Sequence, residues 1–449
     1  MQTHVDLGIF KSYDVRGTYP GQLDETVAEL IGRAFVQFAH PAVVAVGRDM
    51  RASSQPLFEA FAKGIMAQGA DVVDLGLTST DELYFAVGKY GYPAGAMITA
   101  SHNPKEYNGF KLCREGAIAL SAETGVFAIR DIVAAGRFDA PARQGSIARR
   151  DVLSDFVDHC LSFVDRSAIR PLKIAIDCGN GMGGLIVPAV FKHLPVEVVP
   201  LYFELDGEFP NHPASPIEPE NMADVARAVR EHHADLGAAF DGDADRVFIT
   251  DERGELVGGD IVTALVAGML LRSHPGAAVL YNLICSRSVP ELIRARGGVA
   301  VRTRVGHSII KAVMREENAI FGGEHSGHFY FRDHYFADSG LIALLVVLEF
   351  LSREDKPVSE LLRPLDNRFR SGEINSQVDD VPGTLLRLEH AYRSADEIDH
   401  LDGVTIQYKD WWCNVRPSNT EPLLRLNVEA DTPELLSRKR DELLNLIRS

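Results

Sequence analysis

Cysteine is scarce and dispersed. Cys113, Cys160, Cys178, Cys285 and Cys413 are odd in number and form no C-x-x-C pair. That argues against a disulfide framework or a cysteine zinc site and for reduced thiols in a cytoplasmic setting. Positive charge is short as well: 46 Lys and Arg face 63 Asp and Glu, for a formal net charge of −17. Such a surface speaks against nucleic acid or an anionic membrane as the main partner. An anionic small substrate would need a locally basic pocket inside the acidic shell. Long apolar runs are missing too. Leu341 to Leu348 is the longest, stops at Glu349 and cannot span a bilayer, so it reads as a buried helix. The opening residues "MQTHVDLGIFKSYDVRG" hold no apolar segment of a signal peptide. What remains is a soluble chain of 449 residues, 46% hydrophobic, long enough for roughly two to four domains.

One unit recurs along it. "PAVVAVGRDMRASSQPLFEAFAKGIMAQGADVVDLG" reads as a β-branched strand, a polar turn, an amphipathic helix and a second strand. The order repeats from Lys173 and again from Gly276. Strands alternating with helices of this length predict βαβ units and mixed or parallel sheets. A spacing of roughly a hundred residues implies three related domains, not a short-period solenoid. The C-terminal part differs: "DGVTIQYKDWWCNVRPSNTEPLLRLNVEA" is strand-rich, and "TPELLSRKRDELLNLIR" is a capped helix. The expected domains are residues 1–149, 150–253, 254–366 and 367–449.

Four places could carry chemistry. In "MITASHNPKEYNGFKL" an apolar strand ends near Ser101, and Pro104 then forces an extended Asn103. A serine at such a corner is expected to be exposed at a strand end, where α/β sites sit. His102 looks like its base, but neighbouring side chains of an extended segment point to opposite faces, so no Ser–His pair is expected. A turn serine bonding its own backbone is the plain alternative. In "AAFDGDADRVFIT" the aspartates 241, 243 and 245 alternate after an apolar strand. Carboxylates that close repel one another and invite a hard divalent cation. Arg246, standing where an EF-hand loop requires glycine, and the lack of a following helix argue against an EF-hand, and a plain acidic loop is the other alternative. Mg²⁺ held by few carboxylates takes further ligands from water and phosphate, which turns the search towards phosphate.

"NVRPSNTEPLLR" gathers Arg416, Ser418, Asn419 and Thr420, a composition suited to a phosphate, with the arginine bidentate. In "FGGEHSGHFYF" the glycines let backbone approach a ligand, and Glu324 and Ser326 can bond sugar hydroxyls. Zinc is not expected there, because the helical i, i+4 histidine pair is absent. "TRVGHSIIK" adds His307 and Lys311, and "FKSYDVRG" adds Tyr13 and Arg16. Taken singly, each of these basic residues reads as surface.

Taken together, "YDVRG", "TASHNP…NGFK", "DGDADR", "GEHSGH" and "RPSNTEP" closely resemble the α-D-phosphohexomutase family, in its phosphomannomutase/phosphoglucomutase branch, in the family's order and over essentially the whole chain. The resemblance implies four domains around a central cleft, three related α/β domains with mixed sheets plus a smaller C-terminal α+β domain. It implies a phosphoserine at Ser101, which passes its phosphoryl group to a hexose monophosphate of glucose or mannose. A hexose 1,6-bisphosphate, intermediate and activator, then turns over in the cleft and rephosphorylates the serine. Mg²⁺ would sit on Asp241, Asp243, Asp245 and a Ser101 phosphoryl oxygen. Arg16, Lys111, Arg246 and His328 would assist catalysis. Tyr13, Arg416, Ser418, Asn419 and Thr420 would hold the distal phosphate, and His307, Glu324 and Ser326 the sugar. The chain departs from the pattern at Ile284, where relatives place a lysine, and Arg287 is the candidate substitute. The expected protein is a cytoplasmic monomer acting on phosphosugars, with no nucleic-acid or membrane partner. A serine phosphatase is the rival, but it would need a second metal, and no second carboxylate or histidine cluster is visible in the sequence. A silent sugar-phosphate binder would not need Ser101, the aspartates and Lys111 together.

Overall fold

The computed structural model describes residues 5–354, 356–418 and 423–449, and within them every side chain but that of His307. Each segment read as strand–helix–strand folds as one: Val43–Arg48, Ser54–Ala67 and Asp71–Leu77; Lys173–Asp177, Gly183–Phe191 and Glu197–Leu201; Ala278–Asn282, Ser288–Ala295 and Val299–Thr303. In all three the two strands pair in parallel, as a crossover helix requires. Each sheet then gains antiparallel strands. Tyr107–Arg114 runs against both Ala94–Ile98 and Val15–Thr18. Val247–Thr250 runs against Leu236–Phe240, and Phe329–Phe331 against Phe321–Gly323. The mixed sheets expected from the repeat are therefore present. The fourth sheet is antiparallel throughout its six strands, with the helices Val381–Ala391 and Pro433–Ile447 beside it in sequence. Thr432 caps the last helix by accepting the Leu435 N–H.

The apolar run at Leu341 lies in the helix Gly340–Glu354, buried at every position from Gly340 to Glu349. It packs on the helices Leu153–Leu161 and Gly259–Leu270. A helix apolar all round has no solvent face, and this one joins the second and third units in a single core containing Ile174, Val187, Ile261 and Val279. The first sheet and the C-terminal unit keep cores of their own, around Phe35, Phe61 and Phe110 and around Trp411, Val415 and Leu443. Among the described residues no helix is long and apolar enough to cross a membrane.

Candidate active site

The strand Ala94–Ile98 delivers the chain to Ser101, which adopts the left-handed conformation at φ 51°. For a residue with a side chain this region is uncommon and needs external support. Arg51 supplies it. Its guanidinium, itself buried and paired with Asp49, donates to the carbonyls of Ser101 at 2.9 Å, Asn103 at 2.6 Å, Pro104 at 2.8 Å and Tyr107 at 3.1 Å. Across the cleft Gly242 lies so close that a Cβ there would stand 2.4 Å from the Ser101 carbonyl oxygen. Two sequence expectations fail at this corner. Ser101 is not exposed; only 4% of it is accessible. The left-handed turn also swings adjacent side chains together, so His102 Nδ1 stands 3.1 Å from Ser101 Oγ instead of facing away. Arg246 donates to the same nitrogen. The Arg246 charge, helped by burial, drives the His102 pKa well below the usual imidazole value, so this ring is neutral and accepts.

The three aspartates follow the strand Leu236–Phe240 and are almost wholly buried. Ser101 Oγ donates to Asp241 Oδ2 at 2.8 Å, and Arg246 Nε donates to the same oxygen at 3.0 Å. Lys111, on the strand leaving the serine turn, reaches Asp243 Oδ2 at 2.6 Å and Asp245 Oδ2 at 2.5 Å. Burial pushes Asp241 up to about 7 against the pull of Arg246. Asp243 is held below the ordinary carboxylate range despite burial, because Lys111 and the Thr80 hydroxyl donate to it. Burial alone would depress Lys111, but the two carboxylates hold its pKa well above the usual lysine value. Asp243 Oδ1 and Asp245 Oδ1 are buried without a hydrogen-bond partner. An unsatisfied buried carboxylate oxygen is costly, and two of them beside Asp241, with ligand atoms of all three within 4.8 Å, suit a hard divalent cation. After the loop the chain forms a β-hairpin, Val247–Thr250 with Leu256–Val257, as the case against an EF-hand required.

The third unit closes the other side. Arg246 and His328 form an antiparallel bridge between the aspartate loop and the "GEHSGH" turn. A cavity of about 340 Å³ opens there, walled by Tyr13, Arg16, Ser101, His102, Lys111, Asp245, Arg246, Lys311, His328 and Asp338 among others. Arg16 is held by Asp14 and by Asn103 Oδ1 at 2.6 Å. Tyr13 crosses to the third unit: a Cβ on Gly306 (φ 139°) would meet its hydroxyl at 2.8 Å. Ser326 Oγ lies 3.0 Å from His328 Nδ1. Glu324 is buried, accepts from Tyr330 at 2.6 Å, and is raised by burial against that bond.

Lys311 is not a surface residue. It is buried 2.6 Å from Asp338, with its ammonium over the rings of Tyr84 and Tyr330. Asp338 also belongs to a second cluster, with Asp245 and His328, whose ligand atoms lie within 4.8 Å of one another. The expectation that no such cluster exists is thereby corrected. Strand pairing of Phe329–Phe331 with Ala337–Asp338 sets Asp338 near His328, and the bridge at Arg246 brings Asp245 to them. Lys311 already supplies it with positive charge.

Of the distal group, Tyr13 lines this cavity, while Arg416 and Ser418 do not. Arg416, on the strand Trp411–Pro417, is buried against Glu373 at 2.5 Å, and Arg425 Nη2 donates to Ser418 Oγ at 3.3 Å. Asn419, Thr420 and the His307 side chain lie outside the described residues. Arg287, the candidate substitute for a lysine at Ile284, lies at the joint of the third and fourth units. Its guanidinium donates to the carbonyls of Tyr408 at 2.8 Å and Lys409 at 3.2 Å. Sequence reasoning missed Arg51, Thr80 and Asp338, and gave Lys311 no role of its own, because each acts through contacts distant along the chain.

Three α/β units and an antiparallel C-terminal unit thus close on a buried serine opposed to carboxylates. Comparison with known proteins then gives the lineage. The chain belongs to the phosphoglucomutase/phosphomannomutase family, whose models match as alpha/beta/alpha domain I at residues 8–140, domain II at 154–254, domain III at 258–368 and the C-terminal domain at 373–446. It is 41% identical to a protein of Xanthomonas campestris named for phosphohexose mutases, over 98% of this chain and 99% of the relative. A phosphomannomutase of Escherichia coli is 40% identical, over 98% and 99%. The crystal structure of a phosphoglucomutase/phosphomannomutase family protein from Burkholderia thailandensis superposes with a TM-score of 0.91 at 34% identity, covering 99% of this chain and 98% of that one.

Proposed function

We propose that the protein interconverts hexose 1-phosphate and hexose 6-phosphate, of glucose, mannose or both, through a phosphoserine at Ser101 and a hexose 1,6-bisphosphate. The observation that carries this reading is the approach of Ser101 Oγ to Asp241 Oδ2, at 2.8 Å, beside two aspartates that each keep a bare oxygen. Asp241, Asp243 and Asp245 hold Mg²⁺, which when bound neutralises charge on the transferring group. Lys111, Arg246 and Arg16 add fixed positive charge around the same oxygens. In the forward half-reaction the bond between phosphorus and Ser101 Oγ breaks as one forms to a sugar hydroxyl. The hydroxyl proton leaves, and the serine oxygen regains one. In the second half-reaction the other phosphate returns to Ser101. His328, 3.9 Å from Asp245 and Asp338 and within reach of Ser326, suits proton transfer or electrostatics in the sugar's neighbourhood. Glu324 and Ser326 hold the sugar, with His307. Arg416, Ser418, Asn419 and Thr420 hold the far phosphate together with Tyr13.

Lys311 beside Asp338 supports a mutase over a phosphatase, since its ammonium already supplies the second cluster with positive charge. Five buried free thiols suit the cytoplasmic setting expected from the sequence. Intact-mass measurement of the purified protein after incubation with glucose 1,6-bisphosphate tests the reading. A phosphate-sized increment is expected, and Ser101→Ala should abolish it along with activity. No increment on the wild type would overturn the mechanism.

A further inference from the structure

The helix Thr80–Tyr90 begins at the metal loop, and no established feature explains why its first residue is a threonine with a buried hydroxyl. Ser79 caps the helix reciprocally with Glu82, which sets the position of the first turn. Thr80 then makes two bonds to one residue of the second unit. Its backbone N–H donates to the Asp243 carbonyl at 3.0 Å, and its hydroxyl donates to Asp243 Oδ2 at 2.6 Å. Both residues are fully buried. Asp243 Oδ2 therefore carries two donors, the Thr80 hydroxyl and the Lys111 ammonium at 2.6 Å, while Oδ1 has none.

From this asymmetry we infer that Thr80 is a positioning residue that makes Asp243 a one-oxygen ligand and so selects a small octahedral cation over a large one. The inference rests on the metal reading of the aspartate loop. A carboxylate with both oxygens bare can rotate and grip a cation through the pair. Ca²⁺ accepts that mode, with six to eight oxygens at flexible geometry, whereas Mg²⁺ demands six ligands near ideal octahedral angles. Tying Oδ2 to a hydroxyl locked at a helix start, beside the mobile-stemmed Lys111 ammonium, leaves Oδ1 alone to coordinate. The inter-unit contact thus acts on ion choice as well as on holding the first unit against the second. Residues that hydrogen-bond a metal ligand commonly tune affinity by 10- to 100-fold, on the order of magnitude expected here.

The test measures Mn²⁺ binding to the full-length enzyme by electron paramagnetic resonance, with Mg²⁺ and Ca²⁺ as competitors. Thr80→Val keeps the shape and removes the hydroxyl; Thr80→Ser keeps the hydroxyl. The valine variant is expected to lose on the order of tenfold in preference for Mg²⁺ over Ca²⁺, and the serine variant to regain it. If Thr80→Val fails to fold, Thr80→Ala with the same readout replaces it. Wild-type binding of Mn²⁺ with the same Mg²⁺/Ca²⁺ ratio in the hydroxyl-free variant would overturn the inference. So would a serine variant that behaves like valine, since packing would then be the cause. Failure of the wild type to bind Mn²⁺ at all would overturn instead the metal reading beneath it.

Discussion

Ser101 Oγ and Asp241 Oδ2 stand 2.8 Å apart although 140 residues separate them in the chain. The contact joins the first sheet to the second at the one point where chemistry is proposed. Arg246 shares the acceptor oxygen, so the serine hydroxyl, a carboxylate and a guanidinium form one unit. A phosphoryl group on Ser101 would displace that hydroxyl proton and meet the positive charge of Arg246 and Lys111.

Removing Asp243 tests the cation site. Asp243→Asn keeps the size of the side chain and loses its charge, so activity should fall by on the order of a hundredfold or more, as for loss of one preorganised electrostatic contact. Mg²⁺ titration of steady-state rates would show it. Full wild-type activity in excess EDTA would contradict the site.

Arg416 is expected to act in binding and not in the chemical step. Arg416→Ala should raise KM for sugar phosphates with kcat nearly unchanged, by roughly tenfold to a hundredfold for a charged contact worth about 1.5–3 kcal/mol. Glu373, which pairs with both Arg416 and Arg425, sets the competing interaction. An unaltered KM would move the distal phosphate elsewhere.

Sugar choice should be loose at C2 and strict at C4. Glu324 and Ser326 are assigned to hydroxyls that glucose and mannose share, and a ligand that turns over in the cleft presents C2 at two different places. Glucose 1-phosphate and mannose 1-phosphate should then differ in kcat/KM by less than about a hundredfold, well below the roughly 10⁴ of an unpaired buried polar group. Galactose 1-phosphate, inverted at C4, should be far poorer. Equal rates for galactose and glucose phosphates in a coupled assay would remove the role given to these two residues.

Glu82 is expected to make stability fall with rising pH. Burial and the neighbouring Asp81 carboxyl raise its pKa to about 8, while Asp81 itself is raised by burial to about 7. The folded state thus binds the Glu82 proton more tightly than the unfolded chain does. Its contribution is fully present below the ordinary glutamate value and is lost as pH rises through about 8. The slope is at most about 1.36 kcal/mol per pH unit for this one group. Urea denaturation at several pH values should show Glu82→Gln, which can keep the bond to the Ser79 N–H, flattening the decline across that window. An identical pH dependence in the variant would show that the carboxyl is not protonated in the folded state.

Much of the architecture is legible in local pattern. The three strand–helix–strand segments, the hairpin after the aspartates and the capped last helix follow from periodicities and turn residues that act over a few positions. The apolar run at Leu341 announced a buried helix, but not that it would weld the second and third units into one core. The aspartates and the Arg416 segment pointed to phosphate because their charges are visible as letters, whereas the roles of Ser101 and Lys111 came from the family resemblance. The relation of Ser101 to His102 was misread for a definite reason. The side-chain alternation of an extended segment was assumed, whereas Arg51 clamps four carbonyls of the turn and holds Ser101 in the left-handed region.

By itself, then, the sequence determined the strands, the helices and their order, because these depend on neighbours within a turn or two. Only the tertiary structure decided which oxygens of Asp243 and Asp245 are left bare, that Lys311 is buried on Asp338, and that Arg287 serves the joint with the C-terminal unit. Those outcomes depend on the dielectric and the partners that packing brings across a hundred residues or more, and burial turns the same letters from surface charges into fixed electrostatic parts.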